Sequence, residues 1–207
     1  MLIKHPRIRH LPWSHPSRDD LKDFDLENFK NKDVVVTLKL DGENTTMYKD
    51  YIHARSLDSM HHPSRSWVKK LHSEIGFEIP LGWRFCGENL YAKHTIHYKN
   101  LKSYFFIHSI WDENVCLGWD KVELWAEIFS LETVPVLYSG RFDEGKIKSL
   151  YQKDYESNKM EGYVVRLSGE FSYENYDKCV AKYVHDSFII EDDHWMNKEI
   201  VLNHLKE

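Results

Sequence analysis

Apolar residues recur along this chain in two rhythms, and the rhythms separate strands from helices. Val34, Val35, Val36, Leu38 and Leu40 form a β-branched run that stops at Asp41-Gly42, the pattern of a strand entering a turn. Residues 45–49 then read as its hairpin partner and residues 51–55 as a third short strand. Trp67, Val68, Leu71 and Ile75 repeat at helical spacing, which predicts a helix over 66–75 with Ser64 as its cap. A second amphipathic helix is predicted over 120–131, with Asp120 as cap and Glu123 three residues on. A third is predicted over 143–155, and a last from about residue 193 to the end. Strands are predicted at 83–91, 104–111, 134–138, 162–167 and 179–184, the run 104–111 being apolar enough to lie centrally in a sheet. Strands interspersed with helices, several in apparent hairpins, predict an α+β fold built on antiparallel sheet. No repeat and no Pro/Gly/Ser-rich linker divides the chain, so a single domain over 1–207 is expected.

Composition narrows the class. Of 207 residues, 42% are apolar and 14% aromatic, enough for a proper core and incompatible with a disordered chain. No run approaches the roughly 18–20 apolar residues of a membrane span, so no membrane partner is expected. Residues 1–13 are basic but lack the apolar stretch and small-residue site of a secretory signal. Cys86, Cys116 and Cys179 are too few and scattered for a disulfide framework or a CxxC site, which points to a reducing, cytoplasmic compartment. The net charge is −5, which disfavours a protein that sheathes nucleic acid by bulk charge. Local basic segments remain, at 4–18 (Lys4, Arg7, Arg9, Arg18) and at 93–102 (Lys93, Lys99, Lys102).

Four short segments carry the candidate chemistry. Lys39 emerges from an apolar strand just before Asp41-Gly42, and a partly desolvated lysine is a nucleophile once it is neutral. Taken alone, such a lysine is as well explained as the surface end of a strand. In Phe85-Cys86-Gly87-Glu88, a carboxylate follows glycine inside an apolar strand and needs a cation, a hydroxyl or a metal as partner. Glu161-Gly162-Tyr163-Val164-Val165-Arg166 places an acid at the mouth of a buried strand, and Val180-Ala181-Lys182-Tyr183-Val184 embeds a second lysine among apolar neighbours. Two carboxylates with two strand-borne lysines suit a site that handles a polyphosphate with a divalent metal.

In this order, with Arg55 after the first segment and the aromatic strand 104–111 after the second, the four segments resemble the covalent nucleotidyltransferase superfamily, and within it the ATP-dependent RNA ligases. The segments around His10-Leu11-Pro12-Trp13-Ser14 and Asp193-His194-Trp195-Met196 are similar to that group too. The resemblance implies an adenylation domain of antiparallel sheets flanked by helices, with no appended OB-fold, acting on RNA ends and possible nicks as a monomer. It implies ATP and Mg²⁺ (or Mn²⁺) as cofactors. Lys39 would attack the α-phosphorus of ATP to give a lysyl–AMP. Asn44 and Arg55 would contact the nucleotide or the 5′-phosphate, and Glu88 the ribose. Glu161 would assist metal-dependent transfer, and Lys182 would bind the α-phosphate. The alternatives are a DNA ligase, a GTP-dependent capping-type enzyme, or a catalytically idle module that binds nucleic-acid ends.

Three positions depart from the resemblance. His108 stands where an aromatic ring usually stacks on adenine, with Phe106 on the same strand face under simple alternation. Val184 stands where many relatives carry a second lysine, leaving Lys178 and His185 as neighbours that could compensate. The chain ends soon after that strand, so recognition of ends is expected from this domain or a partner. His61-His62 lacks further donors at ligand spacing, so no zinc site is expected there. Trp67, Trp111, Trp119 and Trp125 read as core, and Cys86 and Cys179 as buried fillers.

Overall fold

The computed structural model describes residues 2–17, 20–21, 24–57, 61–188 and 200–206. The chain divides into two compact units: one from 1–5, 41–133 and 194–207, the other from 6–40 and 134–193. Each is a mixed α/β body dominated by antiparallel sheet, with few helices.

In the first unit the sheet runs Val115–Cys116, Phe105–Asp112, Trp83–Asn89, Glu43–Met47, Ile52–Ala54, every neighbour antiparallel. Glu132–Thr133 adds a short parallel pairing on Phe105–Asp112. Phe85, Phe105, Ile107, Ile110 and Trp111 are fully buried, each contributing about 1.5–3 kcal/mol of apolar burial. One face is covered by the helices Ser66–Ile75 and Trp119–Ile128 with their flanking turns: Phe85 meets Phe129 at 4.9 Å, and Asn89 Nδ2 donates to the Ser64 carbonyl at 3.1 Å. Alternation then turns Cys86 and Glu88 to the opposite face. Residues 200–206 are not helical; bridges at Ala92–Leu202 and Leu101–Leu205 strap them to the unit, and the rest of the helix predicted from 193 lies outside the described residues.

In the second unit the order is Arg9–His10, Val180–Val184, Gly162–Leu167, Asp33–Leu38, Val136–Arg141. Arg9–His10 lies parallel to Val180–Val184, and the other neighbours are antiparallel. Asp33–Leu38 is central: Val34, Val35 and Val36 are no more than 1% exposed, as expected of a strand buried on both faces. This corrects the local hairpin expected at 45–49. The strand there starts at Glu43 and belongs to the other unit's sheet, while Asp33–Leu38 pairs with strands more than ninety residues away in sequence.

Helix ends also differ from the sequence reading. The helix Ser66–Ile75 is as predicted, but Arg65 occupies its cap and Ser64 lies in a preceding turn capped by His62. Trp119–Ile128 starts one residue early with Gly118 at the cap, so Asp120 lies in its first turn, where its charge favours the helix dipole. Only Glu144–Lys148 of 143–155 is helical. Asp143 caps it, accepting from Lys146 N, but Asp154–Tyr155 leaves the helix to form a hairpin with Asn158–Lys159. Among the described residues no helix is long and apolar enough to cross a membrane.

Candidate active site

In the second unit, register brings Lys39, Lys182 and His10 to one face. Lys39 follows the strand Asp33–Leu38 and prolongs its ladder, its backbone N–H donating to the Gly162 carbonyl at 3.0 Å. Thr37 pairs with Val164, Val164 with Lys182, and Lys182 with His10. Paired residues share a face, as do residues two apart, so Lys39, Lys182 and His10 project on the same side. Glu161, at the mouth of Gly162–Leu167, meets the nucleophile candidate directly: Lys39 Nζ lies 2.6 Å from Glu161 Oε1. Those two side chains are 25% and 13% exposed, so the pair is shielded yet reachable. A Cβ at Gly162 would collide with the Tyr183 carbonyl oxygen, so only glycine lets the strand pass so close behind Lys39.

Lys182 has a partner that sequence reasoning missed. Its Nζ donates to Asp20 Oδ1 at 2.9 Å. Asp20 Oδ2 lies 3.1 Å from His10 Nε2 and accepts from Ser17 N and Oγ at 3.2 and 2.8 Å. The His10 imidazole at 3.1 Å, then Lys182 and Ser17, hold the Asp20 carboxyl far below the usual carboxylate range despite partial burial. Burial draws the Lys182 ammonium below its ordinary value. The Asp20 carboxylate opposes that fall, and the charge of Lys39 adds to it. The N-terminal arm read as basic, and nothing local marked Asp20 as a partner for a residue 162 positions away.

In the first unit, Asn44 pairs with Glu88 and Glu88 with Phe106, so these three share the face turned away from the helices. A register shift in Phe105–Asp112 leaves His108 between paired Ile107 and Ser109. Such a bulge lets adjacent side chains reach the same face. Asn44 Nδ2 and His108 Nε2 are 3.0 Å apart, and His108 Nδ1 and Ser109 Oγ 3.1 Å. Phe106 is only 5% exposed, so His108 is the more accessible ring of the two proposed for base stacking. The His5 ring packs on His108 at 5.1 Å. Burial, then the neighbouring His108, Arg55, Arg84 and His53, holds the His5 imidazole well below its ordinary 6.5. Arg55 is exposed just beyond Ile52–Ala54. Gly87 is required by crowding, since a Cβ there would meet Phe106 O at 2.5 Å.

Asp41 anchors a loop: its Oδ2 accepts from Thr95 N and Ile96 N, both at 2.7 Å. The two units thus hold separate sets, Lys39, Glu161 and Lys182 in one, and Asn44, Arg55, Glu88, Phe106 and His108 in the other. His185 stacks on Tyr151 at 4.5 Å and bonds Ser187, while Lys178 is exposed on the short helix Tyr176–Cys179. His62 caps a turn. Trp111 and Trp119 are buried, whereas Trp67 and Trp125 are half-buried. Cys86, Cys116 and Cys179 are buried thiols outside any disulfide, and burial pushes the Cys86 thiol up to about 11.

Comparison with known proteins adds the following. A sequence model of the family described as RNA ligase matches residues 32–184. A search of curated proteins by sequence gives no match. Among solved structures, a Naegleria gruberi RNA ligase mutant with AMP and Mn is similar with a TM-score of 0.60 at 16% identity, covering 91% of this chain and 57% of that one. An apo mutant of the same ligase gives 0.57 at 16%, covering 79% and 52%, and a mutant with ATP and Mn gives 0.56 at 16%, covering 79% and 53%. The chain therefore spans a little over half the length of the structures it matches.

Proposed function

We propose that this chain, which belongs to the RNA ligase family, joins a 5′-phosphate and a 3′-hydroxyl RNA end at the expense of ATP. The observation that carries the proposal is the Lys39–Glu161 pair at 2.6 Å, with Lys182 on the same sheet face.

Lys39 Nζ is the nucleophile. It attacks the α-phosphorus of ATP, forming a P–N bond as the bond to pyrophosphate breaks. Glu161 Oε1 is within reach to receive the ammonium proton that must leave for attack to proceed. Lys182 presents positive charge to the α-phosphate oxygens as they become more negative. The AMP then passes to an RNA 5′-phosphate, and the 3′-hydroxyl displaces it. Phosphoryl-type transfer asks for positioning and compensating charge more than for other covalent work, which is what two strand-borne lysines provide. Asn44, Arg55, Glu88 and His108 are assigned to the nucleotide by resemblance, and the shared face of Asn44, Glu88 and His108 supports that assignment.

Among the described residues no group of three or more His, Cys, Asp or Glu side chains is arranged to hold a metal ion by itself. Mg²⁺ in phosphoryl-transfer sites needs only one or two carboxylates besides phosphate oxygens and water, and Glu161 meets that demand. When bound with the triphosphate, Mg²⁺ or Mn²⁺ would neutralise phosphate charge. The relatives' complexes with ATP and Mn support this choice of cofactors.

The test is sealing of a 5′-phosphorylated RNA against a 3′-hydroxyl RNA, nicked or single-stranded, with ATP and Mg²⁺. Joined product is expected from the wild type and none from Lys39→Ala. Absence of joining with RNA alongside joining of DNA would move the assignment to a DNA ligase.

A further inference from the structure

Lys39 and Lys182 place two ammonium groups on one face of the second unit's sheet, close enough that the charge of Lys39 disfavours that of Lys182. Each lysine is held by a carboxylate: Glu161 at 2.6 Å for Lys39, and Asp20 at 2.9 Å for Lys182. We propose that Asp20 is a positioning residue for Lys182, fixing the ammonium beside Lys39 so that it meets the substrate phosphate already aimed.

This deepens the ligase reading and rests on it. Asp20 is itself held. Its Oδ2 accepts from Ser17 N and Oγ and lies against His10 Nε2, while its Oδ1 faces Lys182. His10 is pinned in turn, with Nδ1 2.6 Å from Ser14 Oγ and its backbone N–H on the Leu21 carbonyl at 2.8 Å. The same arm pairs with the strand that bears Lys182, at Arg9–Ala181 and His10–Lys182. A lysine has four rotatable bonds, and ordering it at the moment of reaction costs side-chain entropy. A carboxylate fixed from behind removes that cost beforehand. An ammonium carries three donors, so Asp20 can keep one while phosphate oxygens take the others. Asp20 is assigned a role through Lys182, the lysine it contacts.

The test compares full-length wild type, Asp20→Asn, Asp20→Glu and Ser17→Ala. The first readout is the single-turnover rate of protein labelling from α-labelled ATP over a range of ATP concentrations. Asp20→Asn is expected to lower the saturating rate by roughly tenfold or more, with the half-saturating ATP concentration changed less than about threefold. Asp20→Glu, which keeps the charge, is expected to recover most of the rate. An unchanged saturating rate in Asp20→Asn would overturn the proposal, as would an equal loss in Asp20→Glu.

The second readout needs no activity. In protein carrying isotope-labelled lysine, the Lys182 Cε–Nζ correlation, assigned with Lys182→Arg, is expected to leave its wild-type position in Asp20→Asn and to move partway in Ser17→Ala. A Lys182 signal unmoved in both variants would overturn the contact. If wild type takes up no label from ATP, the ligase reading fails, whereas the lysine signal still tells whether Asp20 holds Lys182.

Discussion

Lys39 Nζ sits 2.6 Å from Glu161 Oε1 although 122 residues separate them in sequence. The link is built by the backbone: Lys39 N donates to the Gly162 carbonyl, and that register sets the carboxylate beside the amine. Replacing Glu161 with Gln keeps the shape and removes the charge. Labelling of the protein by ATP is expected to fall about a hundredfold, the scale for losing one preorganised charged group, while the far-ultraviolet circular dichroism stays that of wild type. Unimpaired labelling would remove Glu161 from the reaction.

Gly162 and Gly169 offer a matched pair. A methyl group at Gly162 would run into the Tyr183 carbonyl oxygen, whereas at Gly169 nothing lies within 4 Å and the backbone needs no positive φ. Gly162→Ala is expected to destabilise by about 3 kcal/mol or more, as overpacking against rigid backbone does. Gly169→Ala should be neutral or stabilise by up to about 1 kcal/mol. Thermal melts compare the two, and equal melting points would mean that the strands are not so close.

The three thiols are expected to resist a disulfide reagent in the folded protein and to react together on unfolding. All are buried, and the Cys86 thiol is pushed up to about 11, where little thiolate exists at neutral pH. Fast reaction of Cys86 at pH 7 in folded protein would contradict its burial between Thr46 and Ser109.

Acid sensitivity follows from His5. Its folded-state value lies well below the 6.5 of an exposed imidazole, so the unfolded chain binds the extra proton first. Stability from this group is present above about 6.5 and is lost as pH falls below that value, by roughly 1.4 kcal/mol per pH unit for one proton. Urea midpoints measured at about pH 7.5 and about pH 5.5 are expected to differ less in His5→Gln than in wild type. An identical difference would assign the acid effect to other groups.

The strands Gly162–Leu167 and Val180–Val184 and the helix Ser66–Ile75 were legible in the sequence because each is specified by its own periodicity. The candidate site residues stood out because lysines and glutamates in or beside apolar strands break the rule that charges stay outside. What was hidden is long-range. Val34, Val35 and Val36 tell of a central strand but not that its partners are Gly162–Leu167 and Val136–Arg141 instead of the neighbouring Glu43–Met47. Ile147, Leu150 and Tyr151 continue a helical rhythm, yet the chain leaves the helix after Lys148 to form the hairpin at Asp154–Tyr155. Asp20 was hidden for the same reason: an acid at the end of a basic arm gains its meaning only when His10 pairs with Lys182.

The most direct measurement is peptide mapping of the protein after incubation with ATP and Mg²⁺ and no RNA. An AMP adduct is expected on the peptide containing Lys39, acid-labile as a P–N bond is, and lost in Lys39→Ala. An adduct on another residue, or none under conditions where RNA ends are sealed, would contradict Lys39 as the nucleophile.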